Sequence, residues 1–133
     1  MIVDTSVWVE FFRATGSEAH AGLVDHIQRR TRLVVPDVVM AELLVGTTDE
    51  VVASRLRATL AQFEIAPTAP VVDAEVAARV HRACRRQGET VRSLIDCFVG
   101  AMALRLDLPV FHRDRDFEVM ARHVGLRTLP VLN

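Results

Sequence analysis

Five carboxylates stand where a solvent-facing charge is out of place. Asp4 ends the apolar run Met1-Ile2-Val3 and precedes the hydroxyls of Thr5 and Ser6. A short apolar strand that gives way to an amphipathic segment puts this acid at a strand's carboxyl end, where ligands sit in open α/β sheets. Asp114 likewise follows the apolar run 108–111, and Asp116 lies two residues further on. Glu42 is embedded among Val38, Val39, Met40, Ala41, Leu43, Leu44 and Val45. An unpaired carboxylate in such surroundings costs several kcal/mol. Asp96 falls in the first turn of a segment opened by Ser93. Each acid has a bland reading: a helix cap at Asp4, an arginine partner in the core for Glu42, a capping box at Ser93-x-x-Asp96. Together they have a sharper one. Carboxylates gathered in one place repel, so the gathering persists only where cations hold it. All-oxygen ligands suit Mg²⁺ or Mn²⁺, and no His/Cys cluster points to zinc. Such a site generates a nucleophile from water and neutralises a scissile phosphate; two ions roughly 3.5–4 Å apart also stabilise the leaving oxygen. The chemistry implied is metal-assisted phosphodiester hydrolysis.

The elements that must position these acids follow from periodicity. Short apolar strands are expected at 1–3, 33–35, 63–66, 108–111 and 126–131. Helices are expected over 7–13, 17–29, 37–44, 49–63, 72–87, 93–105 and 116–123, with Ser17 and Asp37 as caps and Gly46 and Gly88 as stops. Strands alternating with helices mean parallel pairing and a sheet covered on both faces. The fold class is α/β, in one domain spanning residues 1–133. Half of the 133 residues are hydrophobic, enough for a core. Trp8 and the phenylalanines fall at core spacing and read as packing. His81, His112 and His123 read as surface or half-buried polar residues rather than an acid/base set.

No apolar run approaches the roughly 20 residues that cross a bilayer, and no secretory leader precedes the first strand. Cys84 and Cys97 have neither redox nor zinc spacing. A cytoplasmic protein is expected. The net charge of −1 looks wrong for a nucleic-acid binder. Its distribution matters more: with five of the 17 acids gathered in one site, the sixteen cations outnumber the rest. All are arginine, the better fork for phosphate oxygens. The lack of lysine excludes P-loop nucleotidases and disfavours phosphoryl-transfer domains that hold the phosphoryl group with Lys.

Ile2-Val3-Asp4-Thr5-Ser6, the Ala41-Glu42-Leu43 helix, Ser93-x-x-Asp96 and Arg113-Asp114-x-Asp116-Phe117 resemble, in this order, the motifs of the PIN-domain nucleases. Across the whole chain the resemblance is closest to the VapC-type toxins of bacterial toxin–antitoxin pairs. It implies a three-layer α/β/α sandwich around a central parallel sheet, and Mg²⁺- or Mn²⁺-dependent RNA cleavage. It further implies a homodimer and a small DNA-binding antitoxin of the VapB type that covers the site. By position, Asp4, Glu42, Asp96 and Asp114 form the acidic quartet, Asp116 is a further ligand, and Thr5 or Ser6 supports the first acid. One departure is His112, where many members carry Thr or Ser. For the RNA phosphates, Arg82, Arg85, Arg86 and Arg92 flank the Gly88 loop beside Asp96, and Arg113 and Arg115 flank Asp114. Arg92, Arg86 and Arg113 are the chosen candidates. The rival reading keeps the same fold as an RNA- or partner-binding module without catalysis.

Overall fold

The computed structural model describes residues 1–131. Five strands, β1 (Ile2–Val3), β2 (Val34–Pro36), β3 (Glu64–Ala66), β4 (Val110–His112) and β5 (Thr128–Pro130), alternate with seven helices. These are α1 (Thr5–Phe12), α2 (Glu18–Gln28), α3 (Asp37–Val45), α4 (Glu50–Leu60), α5 (Val72–Arg86), α6 (Leu94–Leu106) and α7 (Arg115–Val124). All pairings are parallel, in the order β3-β2-β1-β4-β5. Right-handed crossovers dictate the layers. Moving outward from β1 to β3 places α1–α4 on one face; the return to β4 and on to β5 places α5–α7 on the other. The helix contacts divide along the same line, with α3 and α6 meeting at the margin. The expected sandwich and parallel sheet are the fold observed.

Strand order reverses between β1 and β4, which lie side by side with Ile2 opposite Val110 and Val3 opposite Phe111. This is a topological switch point, where the connections leave in opposite directions and open a crevice at the strand ends. The backbone N–H of Asp4 donates to the Phe111 carbonyl at 3.0 Å, so Asp4 sits directly on that crevice.

Local chemistry sets the helix starts. Asp4, Ser17, Asp49, Ser93 and Asp114 are N-caps whose side chains accept backbone N–H bonds. Asp37 departs from expectation. Pro36 takes the cap position, and the Asp37 carboxylate instead accepts from Thr68 N (2.9 Å) and Thr68 Oγ1 (2.6 Å), tying α3 to the loop after β3. The core is built on Ile2, Trp8, Leu23, Leu60, Met102, Phe117 and Met120, all fully buried. Trp8 packs against Phe11, Phe12 and Phe63, as core residues do. α6 is buried along most of its length and approaches α7 closely at Gly100, where a Cβ would lie 2.7 Å from the Met120 sulfur. That approach seats the start of α6 beside the start of α7.

Candidate metal centre

Three helix N-termini converge on the crevice, and each brings an acid. Asp4 caps α1, Asp96 lies in the first turn of α6, and Asp114 caps α7 with Asp116 in its first turn. Partial positive charge at helix N-termini favours carboxylates there, which offsets part of their mutual repulsion. Asp96, Asp114 and Asp116 each offer an oxygen within 4.8 Å of the others. Capping and ligation are not alternatives here. Asp4 Oδ2 accepts from Ser6 N (2.9 Å) and Ser6 Oγ (2.6 Å), whereas its Oδ1 is buried with no hydrogen-bond partner among the described residues. A buried carboxylate oxygen left unpartnered is the site's clearest demand for a cation.

The electrostatics agree. Burial, offset in part by the Ser6 hydrogen bonds and reinforced by Glu42, lifts the Asp4 carboxyl to about 6. Burial, followed by the charges of Asp4, Asp114, Glu42 and Asp116, lifts Asp96 to about 8. Without a cation, then, the cluster disfavours an ionised Asp96. The donor set is all oxygen and suits a hard divalent ion. Cys97 adjoins Asp96, but burial and that neighbouring charge push its thiol up to about 12, leaving it inert.

Glu42 differs from its sequence reading. It is exposed and has no arginine partner among the described residues. Its apolar neighbours do not enclose it, because α3 buries only Val39 and Leu43 and leaves Val45 open to solvent. Glu42 stands outside the tight trio, yet close enough for its charge to bear on both Asp4 and Asp96. Of the two hydroxyls after Asp4, Ser6 makes the contacts. Its Oγ donates to Asp4 and accepts from Arg113 N at 2.9 Å, bridging the ends of β1 and β4. Thr5 Oγ1 is buried with no hydrogen-bond partner among the described residues.

The arginines also sort differently. Arg92 lies 3.5 Å from Asp116 and 3.8 Å from Asp114, its side chain largely in solvent. It also lines a cavity of about 330 Å³ with Ala78, His81, Arg82, Val91 and Leu94. Arg82 thus shares that cavity with Arg92, whereas Arg86 is exposed outside its lining. Arg113 is held by Glu10 at 2.6 Å. Pairing with Glu10, far away in sequence, was not readable from the neighbourhood of Asp114. His112 corrects another expectation: it is fully buried rather than at the surface or half-buried, and burial lowers its pKa. A polar residue closing an apolar strand two residues before Asp114 was the only signal of a structural role.

A PIN-domain family model matches residues 1–123. The chain is 36% identical over 128 residues to ribonuclease VapC11 of Mycobacterium tuberculosis, covering 96% of both proteins. Among solved structures, VapBC2 of Rickettsia felis bound to a promoter DNA fragment matches with a TM-score of 0.77 at 13% identity, over 98% of this chain and 97% of that one. FitAcB of Neisseria gonorrhoeae matches with a TM-score of 0.74 at 21% identity, over 96% and 95% of the two chains. At such identities the structural likeness bears on the fold alone.

Proposed function

The chain belongs to the PIN-domain family and, within it, to the VapC ribonucleases, and from that premise we propose that it is a Mg²⁺- or Mn²⁺-dependent endoribonuclease, the toxin of a toxin–antitoxin pair. The observation that carries this reading is the crevice at the β1/β4 switch point. There, Asp96, Asp114 and Asp116 each offer an oxygen within 4.8 Å of the others, beside an Asp4 oxygen that has no hydrogen-bond partner among the described residues. Asp4, Asp96, Asp114 and Asp116 would hold the ion, with Glu42 completing the negative rim. Bound there, Mg²⁺ or Mn²⁺ would activate a water and neutralise charge on the scissile phosphate of RNA.

The chain's own residues do the rest. Ser6 fixes one oxygen of Asp4 and leaves the other available to a cation that would bind there. A protonated Asp96 would hold a cation less well, so cation affinity should rise with pH. Arg92 and Arg82, rather than Arg86 or Arg113, orient RNA phosphates in the adjoining cavity; these contacts position the strand without reading its sequence. The groove beside Glu42, lined by Val9, Phe12, Leu43 and Leu56, and the exposed Val45 and Val52 form the apolar surface for a small DNA-binding antitoxin. Residues 1–133 act as one domain, as a cytoplasmic homodimer; among the described residues no helix is long and apolar enough to cross a membrane.

The test is cleavage of an end-labelled single-stranded RNA with Mg²⁺, Mn²⁺ or EDTA. Cleavage should require the ion and fall at least about a thousandfold in Asp4→Asn and Asp96→Asn, a loss of roughly 4 kcal/mol in transition-state stabilisation. Tight RNA binding with no product under either ion would replace the nuclease by a binding module.

A further inference from the structure

His112 is the last residue of β4, and its ring is wholly inside the protein. Both ring nitrogens are engaged. The Asp114 backbone N–H donates to Nδ1 at 3.1 Å, and Nε2 lies 2.9 Å from Glu118 Oε1. An N–H can only donate, so Nδ1 must be the acceptor and the ring proton must sit on Nε2, facing the Glu118 carboxylate. The same Glu118 oxygen also accepts from Thr128 Oγ1 at 2.8 Å, and Phe117 lies against the ring at 5.1 Å. A polar chain thus runs from β5 through α7 and β4 to the turn that carries Asp114.

That turn is held at two consecutive amides. Arg113 N donates to Ser6 Oγ and Asp114 N to His112 Nδ1. The Asp114 carboxylate then accepts from Asp116 N at 2.9 Å and so sets the first turn of α7. We propose that His112, locked in its Nε2–H tautomer by Glu118, is a positioning residue that fixes the Asp114–Asp116 turn in the geometry needed to bind the divalent ion. The inference rests on the metal-site reading above. Buried partners that orient ligand-bearing groups typically change metal affinity or activity ten- to a hundredfold when removed.

Two substitutions separate the ends of the ring. In His112→Asn the side-chain oxygen can accept from the Asp114 amide, while nothing reaches Glu118. In His112→Gln the amide NH₂ can reach Glu118, while the acceptor for Asp114 is lost. The readouts are hydrogen exchange of the Asp114 amide in EDTA, Mn²⁺ affinity from the electron paramagnetic resonance of free Mn²⁺, and kcat and KM on an RNA oligonucleotide. His112→Asn should keep the Asp114 amide protected and stay within about threefold of wild type in Mn²⁺ affinity and kcat. His112→Gln should lose protection and at least tenfold in both affinity and kcat, with KM unchanged. The assignment is overturned if Gln rescues as well as Asn, if the losses simply follow melting temperature, or if wild type binds no Mn²⁺. Wild type that binds Mn²⁺ but cuts no RNA sinks the nuclease reading alone, and the affinity comparison still decides the role of His112.

Discussion

Asp73 and Asp4 are both buried aspartates at the start of a helix, and the fold treats them in opposite ways. Asp73 lies at the start of α5 with no exposed surface. Both of its oxygens receive the Arg105 fork at 2.9 Å, and Ala69 N adds a bond at 2.7 Å. Burial alone would raise its pKa, but the arginine and the amide together outweigh it and hold the carboxyl below its ordinary value. Asp4 has Ser6 on one oxygen and no hydrogen-bond partner on the other among the described residues, and its carboxyl is raised to about 6. One acid is complete within the chain and the other is complete only with something added. A buried charge that the fold satisfies is architecture, whereas one it leaves wanting marks the site.

The comparison breaks most visibly if each region is stripped of what sustains it. Arg105→Ala should leave Asp73 as an uncompensated buried charge and cost about 3 kcal/mol or more in urea denaturation. Asp96→Asn should do the reverse in EDTA at pH 8, raising stability by roughly 2 kcal/mol, because repulsion and a costly ionisation both vanish. An Asp96→Asn protein less stable than wild type in EDTA would mean that the acids are satisfied after all.

pH sharpens the same contrast. Asp4 and Asp96 have folded-state pKa values of about 6 and about 8, raised above the 3.8 of a free carboxyl. For a raised carboxyl, the stabilisation is complete below the unfolded value and is lost as pH climbs through the folded one. In EDTA the melting temperature should therefore fall between pH 5 and pH 8.5, and Mn²⁺ should restore more of it at pH 8 than at pH 6. Asp73 has the opposite sign, so its contribution survives at high pH and disappears only on acidification. A melting temperature that holds level across this range in EDTA would contradict the raised values.

Smaller effects test the edges of each region. The loop gripped by Asp73 holds Val71 at φ 65°, ψ −52°, a conformation strained for a β-branched residue, with its side chain largely in solvent. Val71→Gly should stabilise by about 1 kcal/mol, since strain is relieved and little packing is lost. Beside the candidate acidic site, Arg92 is mostly exposed, so Arg92→Ala should change stability by less than about 1 kcal/mol. It should also lower the salt slope of RNA binding by about one. An unaltered slope would remove Arg92 from the substrate path.

What the sequence by itself determined was local. The alternation of short apolar runs with 3.6-residue periodicity, with cap signals at Asp4, Ser17 and Ser93, is enough to place strands, helices and the parallel sheet, because those signals act over a few residues; the caps at Pro36, Asp49 and Asp114 emerged only in the fold. It also marked which acids close a strand or open a helix. Tertiary structure alone decided the company each one keeps. Only strand order could bring Asp4 beside the end of β4, expose Glu42 despite its apolar neighbours, and bury His112 between Asp114 and Glu118. Only the packed fold could turn Arg113 to Glu10 and Arg82 to the cavity next to Arg92. Burial and charge pairing depend on distance through space, and a linear pattern does not carry that distance.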